Sequence, residues 1–165
     1  MAFSYGTDEY INDVVARYSD SLIRSAFYIL GNIHDAEDAA QNAFLKLIYR
    51  AQPFRDEGHE KAWLLRVTIN NAKDMLRSHD NRSAPLEDWM ADAGASGEDE
   101  RLFLGEMFSE LSENYREALF LYYSEGYQIG EIASILKIPA ATVGTRLRRA
   151  REQLRNLMER GGEYV

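Results

Sequence analysis

The sequence predicts an all-α protein made of two small helical domains joined by an acidic linker. Three observations carry that expectation. Apolar residues recur at helical spacing in six separate segments, and no alternating strand pattern lies between them. Residues 84–105, APLEDWMADAGASGEDERLFLG, lose that period and turn acidic and rich in Ala, Gly and Ser. The divisions follow as residues 1–82, a linker at 83–106, and residues 107–165.

The first helix is expected from Asp8 to Leu30, where Ile11, Val14, Val15, Tyr18, Leu22 and Ala26 share one face and Gly31 supplies a C-terminal stop. Asp35 is read as the cap of a second helix running to about Arg50. That helix buries Ala36, Ala40, Phe44, Leu47 and Ile48, and points Asp38, Gln41, Asn42 and Leu45 elsewhere. The short connection at residues 32–34 makes the two helices antiparallel neighbours. PFRDEGHE, residues 53–60, reads as a loop. A third helix follows at residues 61–78, with Trp63, Leu64, Val67, Ala72 and Leu76 inward. Arg66, Asn70, Lys73 and Arg77 fall at steps of four, three and four on another face. On residue type alone that stripe is an ordinary solvated surface.

Past the linker, Leu111, Tyr115, Leu119 and Tyr122 mark a helix with Ser112 as its cap, ended by Glu125-Gly126. Residues 128–155, QIGEIASILKIPAATVGTRLRRAREQLR, then carry a helix-turn-helix pattern. Ile129, Ile132, Ala133 and Leu136 form a short apolar stripe, Pro139 stops that helix, and the next begins near Ala140. Val143, Leu147, Ala150 and Leu154 line its packed side, while Ala141, Thr145, Arg148 and Arg149 project from the other. The small residues Ala140, Ala141, Gly144 and Thr145 suit a helix N-terminus set deep in a major groove. Arg146, Arg148, Arg149, Arg151, Arg155 and Arg160 against Glu152 and Glu159 give this segment a local charge of +4. Arginine forks match phosphate oxygens and guanine edges, so the segment points to DNA.

Composition narrows the remaining classes. The 165 residues contain no cysteine, so disulfides, thiol catalysis and thiolate metal sites are excluded together. His34, His59 and His79 have no helical ligand spacing, and neither a Gly-rich phosphate loop nor a Gly-x-Ser-x-Gly elbow occurs. No catalytic residue, cofactor or metal is therefore assigned, and a non-enzyme is expected. No apolar run long enough to span a bilayer and no secretory leader pattern is present, which predicts a cytoplasmic protein without membrane insertion. The net charge of −8 opposes DNA binding at long range. Residues 1–82 hold ten basic and twelve acidic residues, and residues 84–106 hold one and seven. A protein so charged needs a partner on DNA.

Two segments together resemble one family. DAEDAAQNAFLKLIYRAQPFR with AWLLRVTINNAKDMLR is similar to the second conserved region of bacterial sigma factors. LSENYREALFLYYSEGYQIGEIASILKIPAATVGTRLRRAREQLR is similar to their fourth region. With only a short linker between them, the layout resembles the extracytoplasmic-function subfamily. The resemblance implies a dissociable subunit that binds bacterial core RNA polymerase, recognises promoter DNA and starts strand opening. It assigns Asp38, Gln41, Asn42 and Leu45 to core polymerase, and turns the stripe of Arg66, Asn70, Lys73 and Arg77 into a surface for the minus-ten element. The loop at residues 53–60 then helps capture an unstacked base. Thr145, Arg148 and Arg149 read the minus-thirty-five duplex, and Arg146 and Arg151 hold phosphates. An anti-sigma factor that covers these surfaces is implied as a second partner, and contact between the two domains is another way to hide them.

Three positions depart from the family pattern: Lys137 where a turn glycine is common, Gly144 where a basic residue is common, and Ser112 where proline is common. Two other classes compete. A stand-alone helix-turn-helix regulator is opposed by the acidic charge and the lack of a dimerisation heptad. A protein-binding adaptor would leave the Arg148 face idle.

Overall fold

The computed structural model describes residues 6–78 and 108–162. The predicted linker at residues 83–106 lies outside the described residues. Six helices are labelled among them: α1 (Asp8–Leu30), α2 (Ile33–Ile48), α3 (Glu57–Ser78), α4 (Glu113–Leu119), α5 (Ile129–Leu136) and α6 (Ala140–Gly162).

The first three helices pack as a bundle. Val14, Tyr18, Leu22, Ala26 and Ile29 of α1 meet Leu64, Leu65, Ile69 and Ala72 of α3, all buried. From α2 come Ala36, Ala39, Ala40 and Ala43 with Phe44 and Leu47. Four small side chains on one face let α2 lie close to its neighbours, and the larger pair fills its C-terminal end. Asn71 fastens the arrangement, donating from Nδ2 to the Ala39 carbonyl at 3.2 Å while its Oδ1 accepts from Lys46 Nζ at 3.2 Å.

Gly31 closes α1 with φ 68°, and its N–H donates to the Phe27 carbonyl. Asn32, not Asp35, caps α2: its Oδ1 accepts from the Asp35 N–H, which leaves Asp35 in the first turn. Asx residues one turn apart compete for such a role, and the tight exit from Gly31 gives it to the nearer one. The third helix begins at Glu57, one turn earlier than expected, because Asp56 Oδ1 accepts from the His59 N–H. Ile48 is 49 % exposed, and Val15 is also exposed.

In the second domain Ser112 caps α4 as expected, accepting from the Tyr115 N–H. The helix then widens into a π turn, Phe120–Ser124, where the Glu125 N–H reaches the Phe120 carbonyl. Gly126, at φ 74°, ends it, and the Tyr127 N–H returns to the Leu121 carbonyl. The core here is Leu111, Ala118, Leu119, Phe120 and Leu121 with Ile132, Ile135, Val143, Leu147 and Ala150. Ile135 replaces Ile129 in the predicted stripe; Ile129 sits at the rim, 38 % exposed. Glu131 reaches back to accept from the Gln128 N–H at 3.0 Å and fixes the start of α5.

Between α5 and α6 the chain turns at Lys137, the one non-glycine residue with positive φ among the described residues (φ 56°, ψ 48°). A side chain in this region costs about 1 kcal/mol. Lys137→Gly is therefore expected to raise the stability of the helix-turn-helix by about that amount. Thermal denaturation should show an upward shift of a few degrees. An unchanged or lower midpoint would contradict the strain assigned to this turn.

Candidate nucleic-acid interface

The alanine face that draws α2 into the bundle leaves its opposite face outward. Asp38, Gln41, Asn42 and Leu45 are all exposed there. Leu45 is 52 % exposed, and Ile48 and Tyr49 continue the apolar part of the surface toward the end of the helix. Three large apolar groups in one exposed stripe beside amides and a carboxylate form a surface suited to a protein partner. Ile48 belongs to this stripe, so its place outside the core has a reason that periodicity alone did not reveal.

The loop after α2 folds around an aromatic cluster that the sequence reading missed. Phe54 packs edge-on against His59, 5.2 Å between centroids, and tilted against Trp63 at 5.5 Å. The Arg50 guanidinium lies over both rings, 4.3 Å from Phe54 and 5.2 Å from Trp63. Trp63, expected to face inward, is half-buried in this cluster instead. The signal was available as Phe54, His59 and Trp63 spaced by five and four across a helix start. A rigid aromatic platform beside a cation offers stacking to an extruded base.

The α3 stripe divides. Asn70 and Arg77 are exposed, and Arg77 makes a surface pair with Asp74 at 3.4 Å. Arg66 lines a cleft of about 510 Å³ with Arg55, His59 and Trp63 on one wall and Tyr127 and Lys137 of the second domain on the other. Burial, with Glu125 and Glu131 nearby, pushes the Tyr127 phenol up to about 12. Lys73 is engaged: its Nζ sits 2.7 Å from Glu117, whose side chain has no exposed surface.

On α6, Val143, Leu147 and Ala150 are buried and Leu154 is half-buried, as the periodicity requires. Arg148 and Arg149 are exposed, and Thr145 is half-buried beside them. Arg151 is exposed and donates to the Tyr123 hydroxyl at 3.1 Å. Arg146 points away from this face: its Nη1 donates to Glu117 at 3.3 Å. Burial pushes the Glu117 carboxyl up, and Lys73 and Arg146 pull against that shift. A Cβ at Gly144 would meet nothing within 4 Å, so the small residue is not there for want of space.

Of the predicted DNA residues, Asn70 and Arg77 on α3 and Arg148, Arg149 and Arg151 on α6 are exposed, Arg66 and Thr145 are half-buried, and Lys73 and Arg146 are drawn together by one carboxylate. Among the described residues no group of three or more His, Asp or Glu side chains is arranged to hold a metal. None of the described helices is long and apolar enough to cross a membrane.

Comparison with known proteins gives this arrangement a family. Residues 14–82 match the model of sigma-70 region 2, and residues 104–154 match that of sigma-70 region 4. The chain is 28 % identical to the ECF RNA polymerase sigma factor SigW of Bacillus subtilis, over 91 % of this chain and 89 % of that one. It is 30 % identical to the ECF RNA polymerase sigma-E factor of Haemophilus influenzae, over 93 % and 90 %. The fold is that of the sigma factor RpoE of Bartonella quintana, solved with the anti-sigma factor NepR, at TM-score 0.71, 21 % identity, and coverage of 93 % and 98 %. Two region models in order, and relatives matched along most of their length, lead to one conclusion: the chain belongs to the extracytoplasmic-function family of RNA polymerase sigma factors, and is an alternative sigma factor that directs transcription initiation.

Proposed function

We propose a division of labour among the three surfaces. The α2 face, through Asp38, Gln41, Asn42 and Leu45, binds bacterial core RNA polymerase in the cytoplasm. The α3 face, through Arg66, Asn70, Lys73 and Arg77, meets the minus-ten element, and the Phe54 and Trp63 rings receive a base flipped from the opened strand. Unstacking one base costs a few kcal/mol, which a stacking platform and backbone contacts offset. The α6 face reads the minus-thirty-five duplex with Thr145, Arg148 and Arg149, and Arg151 holds phosphate. Arg146 joins it on phosphate once Glu117 releases it. Residues 1–82 and 107–165 are the two functional units, with 83–106 the tether. The chain itself performs no chemistry.

The observation that carries this reading is the exposed stripe of Leu45, Ile48 and Tyr49 beside the hydrogen-bonding groups of α2, on the same chain as a basic α6 face. A stand-alone regulator needs the second surface but not the first. The overall charge of −8 fits the same division, since polymerase then supplies the nonspecific attraction to DNA. An anti-sigma factor completes the scheme, as the Bartonella relative was solved with one.

Leu45→Ala combined with Gln41→Ala is expected to weaken core polymerase binding by about tenfold or more, the loss that follows when the few residues anchoring an interface are truncated. Both side chains are exposed, so the melting temperature should stay where it is. Titration of labelled protein with core polymerase checks this, and unchanged affinity would remove α2 from the interface. Arg149→Ala is expected to cost about 1 to 3 kcal/mol in promoter-dependent initiation, the worth of a bidentate base contact. Full activity of that variant would favour an adaptor with an idle basic face. Gly144→Lys adds a cation over open space. It should tighten duplex binding by the polymerase complex and steepen its salt dependence by about one unit of slope; a slope equal to the parent's would place position 144 away from DNA.

A further inference from the structure

Where α5 packs on the start of α3, the chain encloses the cleft of about 510 Å³. One wall carries Arg55, His59, Trp63 and Arg66, and the other Tyr127, Ser134 and Lys137. Both walls rest on the same apolar cluster, which holds Leu64 and Leu65 of α3 together with Ile132 and Ile135 of α5. Beside it Lys61 pairs with Glu125 at 2.8 Å. The cleft is therefore part of the packed fold and not a gap between loose parts.

Its charge is unusual for this chain. Arg24 aside, the described Lys and Arg side chains with no hydrogen bond, ion pair or ring contact gather in two places. One is the α6 face, with Arg148, Arg149 and Arg155, and the other is this cleft, with Arg55, Arg66 and Lys137. A sequence with 27 acidic and 19 basic residues has carboxylates to spare, so cations left without partners around one cleft favour an anion from outside. Two carboxylates also line the cleft, and each is turned to a helix start. Asp56 Oδ1 accepts from the His59 N–H at 2.7 Å, and Glu131 Oε1 accepts from the Gln128 N–H at 3.0 Å. His59 accepts at Nδ1 from the Arg55 N–H at 3.2 Å, which leaves the ring proton on Nε2 as a further donor.

Three converging cations suit a polyphosphate better than a single carboxylate, and guanidinium forks match phosphate oxygens. The volume lies in the range of small-molecule sites, about 300–1,000 Å³, and such sites favour the junctions between domains. Trp63 on one wall and Tyr127 on the other give a flat base an aromatic surface. We propose that this cleft binds a nucleoside polyphosphate, with Arg55, Arg66 and Lys137 on its phosphates and Trp63 and Tyr127 against its base. Arg66 and Trp63 also belong to the minus-ten reading above. Arg55, Tyr127 and Lys137 do not, so the site stands without that reading. A ligand that touches both walls stabilises the folded chain by mass action.

Equilibrium dialysis of the full-length protein against radiolabelled ATP and GTP, in magnesium-free buffer of fixed ionic strength, tests this. One nucleotide per chain should bind, with saturation below about 1 mM. Arg66→Ala and Lys137→Gly, one from each wall, should each weaken binding by about tenfold, the loss expected when a charge-assisted hydrogen bond to phosphate is removed. Lys137→Gly relieves the left-handed backbone at that turn, so lost binding in this variant is not lost folding. In a Trp89→Phe background Trp63 is the remaining tryptophan, and the nucleotide should quench its fluorescence over the same concentration range. Bound nucleotide should also raise the melting temperature of the parent and leave that of Lys137→Gly unchanged. No binding below about 1 mM would overturn the site. Binding that survives both substitutions would put the nucleotide elsewhere and overturn it equally. Inorganic tripolyphosphate that competes as well as the nucleotide would overturn the nucleoside as part of the ligand. None of these measurements involves polymerase or DNA, so a failure here and a failure of the minus-ten reading are separate results.

Discussion

A carboxylate removed from water must find cations, and Glu117 finds one on each side. Much of what distinguishes this molecule depends on that requirement. Arg146 is turned inward by it, away from the arginines that follow on α6. Lys73 is lifted out of the α3 stripe by it. The Arg116 guanidinium, held at the end of α1 by backbone carbonyls, sets the position at which the carboxylate is buried. The buried apolar residues of the two domains form one continuous cluster, with the Tyr28 ring against Phe108 and Phe120, and the ionic layer lies beside it.

The surfaces that face away from this layer follow from simpler packing. Alanine on one side of α2 brings that helix close to α1 and α3, and the price is an outer face where Leu45, Ile48 and Tyr49 have nowhere to go but solvent. On α6 the apolar stripe of Val143, Leu147 and Ala150 fixes the rotation of the helix, so Arg148 and Arg149 are presented outward by geometry alone. A net charge of −8 with a basic α6 face is then consistent for a subunit whose attraction to DNA is largely supplied by its polymerase.

The sequence made the helices and the helix-turn-helix legible because period and punctuation agreed there: Gly31, Ser112, Gly126 and Pro139 end or begin elements where expected. The exposed α2 residues and the Arg148 face were legible for the same reason. What escaped depended on tertiary choices. Asn32 and Asp35 both can cap, and only the exit from Gly31 decides between them. Ile129 and Ile135 both fit a helical stripe, and the neighbouring α6 selects Ile135. Arg146 and Arg148 are equivalent by residue type, and nothing local indicates that Glu117, 29 positions earlier, claims the first. The Phe54, His59 and Trp63 cluster forms across a loop whose helix starts earlier than its breaker residues suggested. Lys137 shows a different limit: its left-handed backbone was foreseeable from the tight turn, although its residue type argues against it.

On this division of labour the acidic chain reaches promoters through polymerase and not alone. The most direct test is to mix the purified full-length protein with bacterial core RNA polymerase at moderate salt, and to follow both complex formation by size-exclusion chromatography and promoter-dependent transcript synthesis. Co-elution and specific transcripts from the complex are expected, with negligible duplex binding by the free protein. Specific duplex binding by the free protein, with no association with core polymerase, would contradict this division of labour.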